Sequence, residues 1–78
     1  LGLTKSLAKD LASSGVRVNM ISPGYIDNAV DLPNDLSCLP MGRAATCDEI
    51  ASLILFLLGR DGEYVTGQNI EVAGGVRL

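Results

Sequence analysis

The chain has 78 residues, with six Lys/Arg against nine Asp/Glu, no histidine and a formal net charge of −3; no basic stripe interleaved with aromatics exists, and nucleic-acid binding is disfavoured. It is 47% hydrophobic with a mean hydropathy of +0.32. That is rich for a small particle, since a domain of this size removes only ~60% of its unfolded surface from water. Apolar faces are therefore expected to meet further chain or a partner subunit.

The opening Leu1-Gly2-Leu3-Thr4-Lys5 shows neither an initiator Met nor a signal-peptide pattern. It reads as a helix already under way, so the chain is expected to be a piece of something longer. Over residues 1–14, Leu3, Leu7 and Leu11 recur at i, i+4 and i+8 with Ala8 and Ala12 alongside, which predicts an amphipathic helix. Ser13-Ser14-Gly15 ends it, because Gly15 can adopt the left-handed cap without steric cost.

Val16, Val18 and Met20 then alternate with Arg17, Asn19 and Ser22, a short β-branched run that predicts a strand. Pro23 has no N–H to continue a ladder, and Gly24 permits a sharp turn. In open α/β sheets ligands sit outside the carboxyl ends of strands, so this Pro-Gly corner is the place to look for chemistry. Residues 25–45 carry no sustained period and are expected to form a long loop of the kind that serves as a lid or binding segment. Asp27, Asp31 and Asp35 recur within it every four residues. On a helix those like charges would repel, and Pro33 interrupts any helix they share, so a solvated loop is expected rather than a metal site.

Thr46-Cys47-Asp48-Glu49 reads as a capping box opening a helix that runs from Ile50 to Leu58. Acidic residues at its start and Arg60 just past its end suit the helix dipole. Its apolar residues cover more than one stripe, which predicts burial on more than one side. The nine-residue apolar stretch Ile50–Leu58, interrupted by Ser52, is far short of the roughly 20 residues a membrane-crossing helix needs. After a turn over residues 59–67, Gln68 to Val72 alternates as a second strand, followed by Ala73-Gly74-Gly75. The order is helix, strand, helix, strand, and the strand–helix–strand part is long enough to join parallel strands. A parallel pair leaves sheet faces and edges that nothing in 78 residues can cover. Cys38 and Cys47 are too few, and nine positions apart without histidine, for a metal site or a disulfide framework. Two reduced thiols in a cytoplasmic setting are expected.

Five stretches in this order resemble the carboxyl-terminal part of a short-chain dehydrogenase/reductase, and the resemblance covers essentially the whole chain. Leu3 to Ala12 is similar to the later turns of the helix that carries the family's catalytic Tyr-x-x-x-Lys. Val16 to Gly24 resembles the sixth strand with its Pro-Gly motif. Pro40-Met41-Gly42-Arg43 and Asp48-Glu49-Ile50-Ala51 resemble the end of the substrate loop and the following helix. Tyr64 to Gln68 and Val72 to Gly75 resemble the lead-in and end of the last strand. Members similar to 3-oxoacyl-carrier-protein reductases and sorbose/sorbitol reductases show this pattern.

The resemblance implies an α/β fold, the carboxyl-terminal part of a doubly wound Rossmann-type parallel sheet that is incomplete on its own, with residues 1–78 as one portion of a single domain. It implies NAD or NADP as cofactor of the full-length parent. Pro23 and Gly24 would pack by the nicotinamide ring, the main chain of Ile26 would bond its carboxamide, and Asn28 stands where the family has a Thr. Ala73 likewise stands where an acid is usual. The family's glycine-rich phosphate turn and Tyr-x-x-x-Lys are not among these residues; Tyr25 is followed four later by Ala29, and Tyr64 by Gln68. Leu1 falls just after the position of the family's lysine. No catalytic residue is therefore assigned, and the chain alone is expected to be inactive. The implied parent interconverts a carbonyl and an alcohol on a small-molecule substrate, with no nucleic-acid or membrane partner, as a homo-oligomer. The alternative is a truncated, non-catalytic fragment that acts only as an oligomerisation or interaction module.

Overall fold

A computed structural model of the chain describes residues 2–76. The predicted first helix is α1, Gly2–Leu11, continued by a 3-10 turn over Ala12–Ser14; Leu1 lies outside the described residues. Gly15 follows at φ 76°, its N–H donating to the Ala12 carbonyl at 3.0 Å, while the Val16 N–H reaches the Leu11 carbonyl at 3.2 Å. These two bonds make a Schellman motif, which requires the left-handed conformation that Gly15 adopts without a Cβ clash.

Two short strands, β1 (Met20–Pro23) and β2 (Asn69–Val72), pair in parallel from Met20↔Asn69 to Pro23↔Val72. β1 begins later than the alternation from Val16 predicts. Residues 18 and 19 are held to the lead-in of β2 largely through side chains. The Val18 N–H donates to Thr66 Oγ1 at 3.1 Å, and the Gly67 N–H donates to the Val18 carbonyl at 2.7 Å. The Asn19 amide donates to the Val65 carbonyl at 3.0 Å and accepts from the Gln68 N–H at 3.1 Å. The backbone is satisfied there without a regular ladder, which starts only at Met20. The turn thus fastened also receives α1: Lys5 Nζ donates to the Gly67 carbonyl at 3.0 Å, and Ala8, the buried residue of the helix, packs against it.

The crossover helix α2 spans Cys47–Leu58 and starts three residues before Ile50, immediately after its N-cap Thr46. The predicted capping box is present: Thr46 Oγ1 accepts from the Glu49 N–H at 3.1 Å, and a Glu49 carboxylate oxygen accepts from the Thr46 N–H at 2.9 Å. Arg60 lies just past the far end, as expected, but does not cap it. No basic residue lies in the last turn, and the Arg60 side chain makes no hydrogen bond among the described residues. The cation there is Arg17, whose Nη1 donates to the Leu57 carbonyl at 2.6 Å and the Gly62 carbonyl at 2.8 Å. A residue on the approach to β1 thus closes the carboxyl end of α2, satisfying a carbonyl that has no partner within the helix.

The buried apolar residues are Ala8, Leu39, Ala44 and Leu57. The expectation that α2 is buried on more than one side is corrected for this chain: Leu57 is its one buried residue, while Leu55, Phe56 and Leu58 are 69, 48 and 71% exposed. Among the described residues these side chains are left largely uncovered. The consequence is visible in bulk dimensions. The radius of gyration is 14.8 Å, against about 11–12 Å for a compact domain of this length. The accessible surface is 5633 Å², roughly 1,100 Å² more than a folded monomer of this mass exposes. No helix among the described residues is long and apolar enough to cross a membrane.

Candidate functional site

The carboxyl ends of β1 and β2 lie side by side, and the Pro-Gly corner is built on that approach. The Gly24 N–H donates to the Val72 carbonyl at 2.9 Å. A Cβ on Gly24 would stand 3.0 Å from both Cα and Cβ of Ala73. The two chains leave the sheet too close together for any side chain there. Pro23, the last residue of β1, is exposed and contributes no donor.

Beyond the corner the chain pairs once more. The Ala45 N–H donates to the Tyr25 carbonyl at 2.9 Å, and the Asp27 N–H donates to the Ala45 carbonyl at 2.9 Å, forming a parallel bridge between Ile26 and Ala45. In such a bridge the central residue's own N–H and carbonyl point away from the partner. The Ile26 carbonyl accepts from the Ala29 N–H at 2.9 Å, which closes a turn. The Ile26 N–H has no hydrogen-bond acceptor among the described residues. Asn28 is exposed in the same turn, and its amide group makes no hydrogen bond among them either. Pro23, Gly24, Ile26 and Asn28 therefore occupy one short run at the strand end, with an unspent backbone donor and an unspent side-chain amide.

The other face of this loop base is a unit that the sequence does not announce. Arg43 forms a two-pronged pair with Glu49, Nη1 to Oε1 at 2.8 Å and Nη2 to Oε2 at 3.0 Å, and Nη1 also donates to the Ala44 carbonyl at 3.1 Å. The Arg43 hydrogen bonds, with the Thr46 N–H next, hold the Glu49 carboxyl down at about 2. The signal in the sequence is the capping box; Arg43 lies six residues before Glu49 across an irregular corner, and no spacing rule pairs them.

A cleft of about 160 Å³ opens between this corner and the end of β2, lined among others by Tyr25, Met41, Ala73 and Gly74. None of Pro23, Gly24, Ile26 or Asn28 lines it, and ligand pockets of drug or cofactor size are about 300–1,000 Å³. The cleft is thus smaller than such pockets and lies beside the Pro-Gly corner rather than on it. The rest of the loop is solvated only in part: its aspartates are exposed, whereas Leu39 is buried and Leu32, Pro33 and Leu36 are half-buried. Asp35 caps a 3-10 turn at Leu36–Cys38, and its hydrogen bonds from the Ser37 hydroxyl and N–H lower its pKa. Asp27 lies near Cys47, with 4.0 Å between Oδ1 and Sγ. No group of three or more potential metal ligands exists among the described residues, and Cys38 and Cys47 are free and exposed.

A parallel strand pair with a crossover helix and a Pro-Gly corner at the shared carboxyl end defines part of a doubly wound α/β sheet of the Rossmann type. Residues 1–77 match the family described as enoyl-(acyl carrier protein) reductase. The chain is 48% identical to the acetoacetyl-CoA reductase of Allochromatium vinosum, over 96% of its own length and 33% of that protein. It is 41% identical to the 3-oxoacyl-(acyl-carrier-protein) reductase FabG of Thermotoga maritima, over 97% of its length and 34% of that protein. Its structure superposes on a short chain dehydrogenase from Bacillus anthracis with a TM-score of 0.88 at 32% identity, covering 99% of this chain and 33% of the other. The chain belongs to the short-chain dehydrogenase/reductase family, and it spans about a third of the length of the curated relatives it matches.

Proposed function

We propose that this chain is the carboxyl-terminal part of an NAD(P)-dependent oxidoreductase that interconverts a carbonyl and an alcohol. In that reading Pro23, Gly24, Ile26 and Asn28 form the shelf for the nicotinamide end of the cofactor, and residues 25–45 form the lid over the substrate. The observation that carries the reading is the Ile26 N–H, fixed by two flanking bonds to Ala45 and left without an acceptor among the described residues. A backbone donor held at a strand end is suited to a ligand carbonyl such as a carboxamide. Gly24 adds a face without a side chain, and Asn28 adds a group that can both donate and accept. The residues present thus fit the nicotinamide end of the group, which when bound would accept or deliver the hydride. The proton donor and the phosphate cradle belong to the parent's other residues, since neither Tyr25 nor Tyr64 has a lysine four positions on.

The relatives' names make a 3-oxoacyl thioester the substrate to try first. The exposed Leu55, Phe56 and Leu58 of α2 support a role in covering or subunit contact, which accords with a homo-oligomeric parent. The free cysteines accord with a reducing, cytoplasmic setting.

The test is a fused reductase in which this chain replaces the matching third of the Thermotoga maritima relative. Turnover of acetoacetyl-CoA with NADPH or NADH is expected, with a several-fold higher cofactor KM in the Gly24→Val and Ile26→Pro variants. A folded fusion whose cofactor binding is indifferent to both substitutions would refute the shelf, and a folded fusion without turnover would leave the non-catalytic interaction module as the surviving reading.

A further inference from the structure

The shelf donor is held at one remove by a side-chain clasp. Ala45 binds both neighbours of Ile26: its N–H reaches the Tyr25 carbonyl and its carbonyl receives the Asp27 N–H, each at 2.9 Å. Ala45 itself stands between two fixed points. Before it, Arg43 Nη1 donates to the Ala44 carbonyl at 3.1 Å while both guanidinium prongs engage Glu49 at 2.8 and 3.0 Å. After it, Thr46 is tied to the same Glu49 carboxylate by its N–H at 2.9 Å and caps the Glu49 N–H with its hydroxyl at 3.1 Å. Residues 43 to 46 are therefore locked to the first turn of α2 by one carboxylate. Ala44 is buried beneath them.

We propose that Arg43 is a positioning residue for the cofactor-facing N–H of Ile26. Gripped on Glu49, it fixes Ala45, and Ala45 fixes the peptide planes on both sides of that donor. The proposal rests on the shelf reading above and extends it to a residue that does not lie on the shelf. A two-pronged Arg–carboxylate pair restrains orientation as well as distance, which a single point charge does not. Release of Arg43 would let the Ala45 bridge fluctuate and the Ile26 N–H wander from its bonding direction. Because the pair is half-exposed, the effect is modest: about a two- to five-fold change, the range of exposed ion pairs.

The test uses the fused reductase and a double-mutant cycle between Arg43 and Ile26. Arg43→Gln is expected to raise the cofactor dissociation constant about two- to five-fold, with Arg43→Lys between it and the parent and kcat at saturating cofactor nearly unchanged. In the Ile26→Pro background, which has no N–H to aim, Arg43→Gln is expected to change cofactor affinity no further. Glu49→Gln keeps a capping-box side chain while removing the charged partner, and it is expected to reproduce the Arg43→Gln effect. Independently, amide exchange at Ala45 and Asp27 is expected to quicken in both variants. The outcomes separate cleanly. If Ile26→Pro leaves cofactor affinity unchanged, the shelf reading fails. If Ile26→Pro weakens binding and Arg43→Gln then adds its full effect on top, the shelf stands and the positioning role is overturned. Unchanged exchange at Ala45 and Asp27 in Arg43→Gln overturns it as well, whether or not Ile26→Pro folds.

Discussion

Replacement of Arg17 by methionine tests the fastening of the crossover helix to the strand. Arg17 Nη1 donates to the Leu57 carbonyl at 2.6 Å and the Gly62 carbonyl at 2.8 Å, and it lies 3.5 Å from the Val65 carbonyl, too far for a full bond. Methionine keeps most of the apolar stem and removes every donor. Hydrogen bonds to a charged group are worth about 1.5–3 kcal/mol each. Both here come from one nitrogen of a half-buried side chain, so about 2–3 kcal/mol in total is the expected loss. The helix end would also lose the cation that is hydrogen-bonded to it, since the last turn of α2 has none of its own.

The appropriate assay is amide hydrogen exchange over residues 56–66 in the fused reductase, which reads local opening rather than global unfolding. A loss of this size corresponds to exchange roughly 30- to 150-fold faster. Arg17→Lys should fall between, because an ammonium can bind these carbonyls but lacks the planar fork and the reach. A change below about three-fold in Arg17→Met, less than 0.7 kcal/mol on the same scale, would refute the reasoning and leave Arg17 as a surface residue.

Further outcomes follow from the same geometry. Gly24→Ala is expected to destabilise by about 1–3 kcal/mol, the usual cost of overpacking, because its Cβ would stand 3.0 Å from Ala73 Cα and Cβ. Adding Ala73→Gly should recover only part of that in chemical denaturation, since the new methyl would still press on the main chain of residue 73; full recovery would contradict it. The Glu49 carboxyl should titrate near 2 rather than at its ordinary 4.5 when followed by carbon-13 NMR. A depressed folded-state pKa means that its stabilising contribution is fully present above about 4.5 and is lost as pH falls toward 2; a midpoint near 4.5 would show that Arg43 does not grip it. The isolated chain is expected to self-associate in sedimentation because of its exposed apolar face, and a monomer with cooperative unfolding would count against that.

Much of the fold was legible because it rests on local rules. The Leu3/Leu7/Leu11 period, the Gly15 cap and the Thr46–Glu49 box each act within a few residues, and all three appear where the pattern puts them. The start of β1 was not legible, because it depends on Asn19 and Thr66, some 47 residues apart, bonding backbone groups that a ladder would otherwise use. Arg17 likewise reads as the polar member of an alternating strand, and nothing local announces that it serves the end of a helix 40 residues on. The site divides in the same way. Pro23 and Gly24 stand out by residue type, whereas the Ile26 N–H is left without an acceptor among the described residues because Ala45 returns to pair with its neighbours.

These long-range contacts share one direction. Arg17 fastens the carboxyl end of α2 to the approach to β1. The Arg43–Glu49 grip ties its amino end to the loop base beyond β1. Asn19 and Thr66 join the leads of the two strands, and Gly24 joins their exits. Between Ala29 and Leu36, by contrast, Val30 is fully exposed and Asp35 bonds only its own turn. The fastenings thus lie around the base of the loop, and the span between has no long-range hydrogen bond among the described residues. Such a division suits a site in which one ligand must be met by preorganised backbone groups while a second is met by a segment that can vary or close. On the function proposed above, the bridge at Ile26 and Ala45 is the boundary between shelf and lid.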